Sequence, residues 1–252
     1  MVTYEARELA RVRNAALLIS AVTWILLLVE PGSMGLLAHC PATGSGAMPV
    51  TFQMLLAMSS PMSLAAGWAL MLVAMMSPVL IPPVLHIRLG SFTHRRARSV
   101  ALFVTGYAAI WMAIGGVLLA IEIMVHLFIS EWYLPAVSMV LIALVWQLSP
   151  FKQRCLNRCH ANSELAAFGA KADFDALRFG MTHGTWCVGS CWALMLFPML
   201  LPRGHVVAMA IAAALMFSER LEQPRPPCWR WRGFGKAGRI VVAQARMRLQ
   251  GS

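Results

Sequence analysis

The chain has 252 residues, 59% of them hydrophobic and only 12% charged, whereas an average soluble domain is roughly 25% charged. Water is therefore not the solvent for most of it, and an integral membrane protein is expected. A net charge of +11 on a soluble protein would suggest nucleic acid, but the basic residues here lie between apolar runs, so the expected partner is the lipid bilayer and not a polynucleotide.

Runs approaching the roughly 20 apolar residues that a bilayer core requires recur about six times. In chain order they are 14–34, 63–87, 99–121, 132–150, 180–201 and 204–218. Arg7, Arg11 and Arg13 precede the first run as they would a secretory signal. However, no small-x-small cleavage pattern follows, and His39 spoils the likeness of Leu37-Ala38-His39-Cys40 to a lipoprotein site, so an uncleaved span is expected. The run from Pro49 to Ser60 is cut off by Pro61 and reads as an interfacial helix. Glu122 and Glu131 fall at the outer ends of the third and fourth runs, where solvated caps account for them.

Charge sets the direction. Of the 21 Lys and Arg residues, all but Arg203 lie in the N-terminal segment, in the loops after the second and fourth runs, or in the tail from Arg220 onward. The positive-inside rule then puts those segments, and both termini, on the cytoplasmic side of a bacterial inner membrane. The expected fold class is all-α, a polytopic transmembrane helical bundle formed by residues 1–218. Residues 219–252 form a basic cytoplasmic tail rich in Pro, Trp and Arg, expected to be poorly ordered or to adhere to the anionic leaflet.

Chemistry concentrates in two blocks. His183, Cys187 and Cys191 recur every fourth residue, and Cys155 and Cys159 have the same spacing upstream. In an α-helix a four-residue step rotates about 400°, so such residues share one stripe. The fourth run ends at Pro150 and the fifth starts inside, so both blocks belong to one leaflet, and the connection 161–178 is long enough to fold the first block over the head of the fifth span. At about 1.5 Å per residue, His183 and Cys191 lie about 12 Å apart along the axis, too far to share one ion. Cys155 and Cys159 can therefore combine with His183 and Cys187, or with Cys187 and Cys191. A relay of two ions would use all five.

Thiolate and imidazole select copper or zinc over magnesium or calcium. Methionine thioethers bind copper(I) and hardly bind zinc. Met195 and Met199 continue the ladder, Met71, Met75 and Met76 lie in the second run, and Met54, Met58 and Met62 step through the interfacial segment. Copper(I) is thus the favoured ion and zinc the second, although methionine is also an ordinary core filler. His86 is a reserve ligand on the same side, and Gln147 is a candidate partner for a ligand.

Two other readings of the cysteines stand beside the metal site: a membrane thiol–disulfide oxidoreductase, and a non-catalytic assembly subunit in which they only pack. Cys155-Leu156-Asn157-Arg158-Cys159-His160 exceeds the haem-attachment spacing by one residue. Phosphate-binding loops, zinc-protease helices and nucleophile elbows are absent from the sequence, so nothing marks the chain as an enzyme.

Several blocks together carry a family resemblance. They are Trp68, Met71, Met75-Met76 and Pro78; Gly106-Tyr107 with Trp111; Gln147 through Pro150 and Lys152 into Cys155 and Cys159; and Gly180 to Gly184 through Cys187, Cys191-Trp192 and Met195. In this order they resemble the bacterial family of predicted metal-binding integral membrane proteins, over roughly half the chain. The resemblance implies a polytopic helical membrane protein with a metal site at Cys155, Cys159, His183, Cys187 and Cys191. Glu219-Arg220 sits where such proteins show an acidic–basic pair, and the run 223–232 that follows departs from the family. The expected role is transport, delivery or sensing of a soft metal ion, with any protein partner left open.

Overall fold

The computed structural model describes residues 2–29, 61–128, 134–166, 168–201 and 204–230. Among these the regular elements are all helical, as expected of an all-α chain. In order they are α1 (Val2–Val29), α2 (Pro61–Met76), a 3-10 turn (Pro78–Leu80), α3 (Ile81–Gly90), α4 (Arg96–Phe128), α5 (Leu134–Leu148), α6 (Pro150–Cys159), α7 (Gly169–Met199) and α8 (His205–Leu221). The interfacial helix expected at 49–60, together with Met54, Met58, Cys40 and Glu131, lies outside the described residues.

Two helical stretches, Tyr4–Val29 and Arg96–Val125, are long and apolar enough to cross a membrane; a third is added if Met62–Met76 and Pro78–Gly90, bent by 52°, count as one. That is fewer than the six crossings the apolar runs predict, and the reasons are local. The run 132–150 gives only the 15-residue α5, because Ser149 leaves the helix and caps the next one through its side chain. The run 180–201 lies within the 31-residue α7, whose interior is diluted by Thr182, His183, Thr185 and Ser190. The last run becomes the 17-residue α8.

The bend after α2 has an identifiable cause. Pro78 has no N–H, so in a continuous helix the carbonyl of Ala74 would lose its partner. The Ser20 hydroxyl of α1 donates to that carbonyl at 2.6 Å, and the Ser77 hydroxyl donates to Val73 O at 2.6 Å. The bend is therefore satisfied by hydrogen bonds and held against α1. A second tie, from Arg88 at the end of α3 to the buried Glu8 at 2.7 Å, makes α1 antiparallel to the α2–α3 pair.

The most extensive helix contact is between α4 and α7. Phe103 packs on Phe179, and Tyr107 hydrogen-bonds Cys187, so both helices advance in the same direction. Glycine permits this close approach: a Cβ on Gly180 would lie 2.1 Å from the carbonyl oxygen of Phe103. Gly180→Ala must push two backbones apart and is expected to cost about 1–3 kcal/mol, the range for overpacking. Thermal unfolding followed by helical circular dichroism measures it, and an unchanged midpoint would contradict so tight a contact.

Polarity is inverted on the outer helices. On α1, Leu18, Ile25, Leu28 and Val29 are exposed while Ser20, Thr23 and Glu8 point inward; Val137, Leu141 and Val145 of α5 likewise face out. A different inversion corrects the reading of Glu122 as a solvated cap. Helix α4 continues to Phe128, so Glu122 is not terminal; it is 0% exposed, and neither carboxylate oxygen has a hydrogen-bond partner among the described residues.

Candidate functional site

The four cysteines of the two blocks are all buried and all free. Cys187 and Cys191 are one turn apart on α7 and touch through their thiols. Cys155 and Cys159 are one turn apart on α6, which exists because Ser149 accepts the Phe151 N–H and Pro150 occupies the first turn, where a missing N–H costs nothing. The cysteines at 155 and 159 therefore come in on a helix, not on a loop folded over the head of a span. Helix α7 also begins at Gly169, which leaves much less loop than the expected 161–178.

Helix α6 lies antiparallel along α7. Cys155 faces Gly189, where an added Cβ would sit 2.7 Å from its sulfur, and Arg158 stacks over Trp186. Cys155 interacts electrostatically with Cys191, and Cys159 interacts with both Cys155 and Cys191. Burial pushes the Cys155 thiol up. It does the same to Cys159, against the opposing pull of the Arg220 guanidinium.

Arg220 is the cation of the site. It ends α8, and its Nη2 donates to Cys187 Sγ at 3.2 Å, so its guanidinium ties the end of α8 to a thiol of α7. The Tyr107 hydroxyl completes the surroundings of Cys187 at 3.3 Å, and the Ser190 hydroxyl lies 3.2 Å from Cys191 Sγ. Sequence reasoning missed Arg220 as a site residue, assigning it to a solvated basic tail. The available signal was the Glu219-Arg220 pair placed directly at the end of an apolar helix.

The end of α8 is anchored by a buried ion pair. Lys152 Nζ lies 2.9 Å from Glu219 Oε2, with side chains 0% and 2% exposed. Gln147 donates to Glu219 and accepts from Lys152, so it joins α5, α6 and α8. Its observed partners are thus these two charges, beside the cysteines in sequence but not a cysteine itself.

The remaining predicted residues fall in different places. His183 is 3% exposed, one turn before Cys187, packed among Phe103, Tyr107 and Phe179 with ring centroids at 5.9, 6.1 and 5.9 Å. Its buried Nε2 has no hydrogen-bond partner among the described residues. His86 is half-buried, bonds the carbonyl of Ser163 at 3.0 Å and meets the edge of Phe179. Met75, Met76 and Met195 are buried in the same core cluster as Cys159, Cys187 and Cys191.

Among the described residues, no three or more Cys, His, Asp or Glu side chains stand in an arrangement that could hold a metal ion. The thiols are gathered, yet a guanidinium reaches in among them. Thiol sulfur is a soft donor of the kind that suits copper(I), with the Tyr107 and Ser190 hydroxyls standing beside Cys187 and Cys191.

An all-helical bundle that collects four thiols from two helices around one arginine is the class this geometry defines. Its family is more specific: the model of PpoB2, a copper chaperone, matches residues 65–242, well over half of the chain, which therefore belongs to that family. The matched region includes all four clustered cysteines and Arg220. The metal half of the family resemblance agrees with this, while the match carries no information about a membrane. No curated protein and no solved structure matches the chain.

Proposed function

We propose that the protein handles copper(I), receiving the ion on buried thiolates and passing it to a recipient. The carrying observation is the convergence of Cys155, Cys159, Cys187 and Cys191 from two packed helices, in a chain of a copper-chaperone family. Copper(I) exchanges between sulfur ligands without needing a fixed coordination number above two or three. Paired cysteines on facing helices suit such stepwise exchange, and Met195, Met75 and Met76 add softer donors nearby. His183, packed among three aromatic rings, is kept outside the donor set.

The setting is a bacterial inner membrane. Apolar side chains facing outward on α1 and α5, with polar ones inward, suit lipid as solvent. The six-span arrangement with both termini cytoplasmic rests on the distribution of Lys and Arg. In it, residues 1–218 form the membrane domain and the segment from 219 forms a cytoplasmic tail whose first residues complete α8 and place Arg220 on Cys187. Zinc is the weaker choice of ion, because methionine offers it nothing.

The test is elemental analysis of the purified protein from cells grown with both metals. Copper is expected in stoichiometric amount, and at least one of Cys187→Ser and Cys155→Ser is expected to lose it. Bound metal indifferent to both changes, or zinc in place of copper, would sink the reading.

A further inference from the structure

The charges around the thiols follow a pattern. Arg88 pairs with Glu8, Arg95 and Arg98 with Asp173, Lys152 with Glu219, and Arg225 with Glu222. Among the described residues no carboxylate lies within ion-pair distance of Arg220. Its side-chain partner is instead the sulfur of Cys187, 3.2 Å from Nη2. Its Nε is buried with no hydrogen-bond partner. A guanidinium stays charged in any protein environment, so this is one fixed positive charge with no fixed negative one.

The cargo supplies the missing charge. When copper(I) binds two thiols, two S–H protons leave to solvent, two Cu–S bonds form and copper stays monovalent, so the complex carries one net negative charge. Burying an uncompensated charge is costly. A single arginine neutralises a two-thiolate copper(I) complex, but leaves a four-thiolate zinc complex with a net negative charge.

Resting on the copper reading above, we infer that Arg220 is the built-in counter-cation of the cargo complex, holding the thiols before the ion arrives and selecting a monovalent ion on two thiolates. The Lys152–Glu219 pair fits this role. By neutralising Glu219, the residue next to Arg220, it keeps that carboxylate from taking the guanidinium for itself. Arg220 is thus a positioning and specificity residue, not a ligand.

The experiment is competition of the purified full chain in detergent against bicinchoninate for copper(I), with a parallel titration of zinc(II) against a chromogenic chelator. Wild type, Arg220→Gln and Arg220→Lys are compared, with gel filtration and helix content as folding controls. Arg220→Gln is expected to lose about a hundredfold in copper(I) affinity, the scale of stranding a buried charge, and zinc, whose four-thiolate complex the same cation partly neutralises, is expected to weaken as well. Arg220→Lys is expected to restore copper(I) binding to within about tenfold of wild type, because it keeps the charge.

Copper(I) affinity of Arg220→Gln within about threefold of wild type would overturn the inference and leave the copper reading intact. A Lys variant as weak as Gln would also overturn it. If only the Gln variant fails to fold, the Lys variant decides: binding within about tenfold supports the charge, and a hundredfold loss overturns it. Misfolding of both would make Arg220 a fold element and end the assignment. A wild type that takes up no copper(I) would instead defeat the proposed function itself, and this inference with it.

Discussion

Replacing Lys152 by methionine is expected to cost the fold about 3–5 kcal/mol, the usual penalty for stranding one partner of a buried ion pair. Lys152 and Glu219 are the most deeply buried of the ion pairs, and Gln147 bonds to both. Removing the ammonium leaves a carboxylate in an interior that cannot solvate it. A typical domain is stable by only about 5–15 kcal/mol, so the variant should be near unfolding at ordinary temperature. Lys152→Met combined with Glu219→Gln should recover much of the loss, because a neutral pair of similar volume has no charge to desolvate. Denaturant unfolding of the two single variants and the double variant measures this coupling. Additive losses would mean that the two charges do not depend on each other. The ion pair also fixes the end of α8, so the same single variant should loosen Arg220 from Cys187.

Cys191→Ser is expected to reduce copper(I) affinity by more than about a hundredfold, exceeding the 10–100-fold effect typical of an outer-shell change. The reason is chemical, since a hydroxyl is a hard donor and copper(I) a soft acceptor. It is also positional: Cys191 lies one turn beyond Cys187 and is buried in the same core as Cys159 and Cys187. His183→Ala should behave differently. Its ring is packed against three aromatic rings, and truncation should cost about 1–3 kcal/mol of stability through the cavity it leaves. Its copper(I) affinity should stay within about tenfold. Chelator competition and thermal unfolding on both variants separate the effects. A His183→Ala variant as weak as Cys191→Ser would put the imidazole in the donor set beside Cys187, the other arrangement open from spacing alone.

What was legible in advance was periodic. The step of four that puts Cys187 and Cys191 on one face of a helix also puts Cys155 and Cys159 on one face, and both helices are present. The second helix was nonetheless read as loop, because Pro150 looked like an end. Proline stops a helix that reaches it and is equally suited to start the next, and only Ser149 as its cap distinguishes the two. Glu122 was misread in a similar way: an acidic residue near the end of an apolar run suggests a wet terminus, but α4 runs on to Phe128 and buries it.

The role of Arg220 was not legible from the Glu219-Arg220 pair alone. Its sulfur partner is Cys187, far back in the chain on another helix. Lys152 and Glu219 were unreadable for the same reason, since each alone is a charge near the end of an apolar stretch. The sequence by itself determined the helical class, the striped pairs of thiols and the softness of their donor chemistry, because backbone hydrogen bonding and side-chain period are local properties. The tertiary structure alone decided that α6 lies along α7 and that the cation beside the thiols is an arginine from α8. Those depend on how far helices slide and rotate against one another, which is set by contacts such as Gly180 on Phe103 and Gly189 on Cys155.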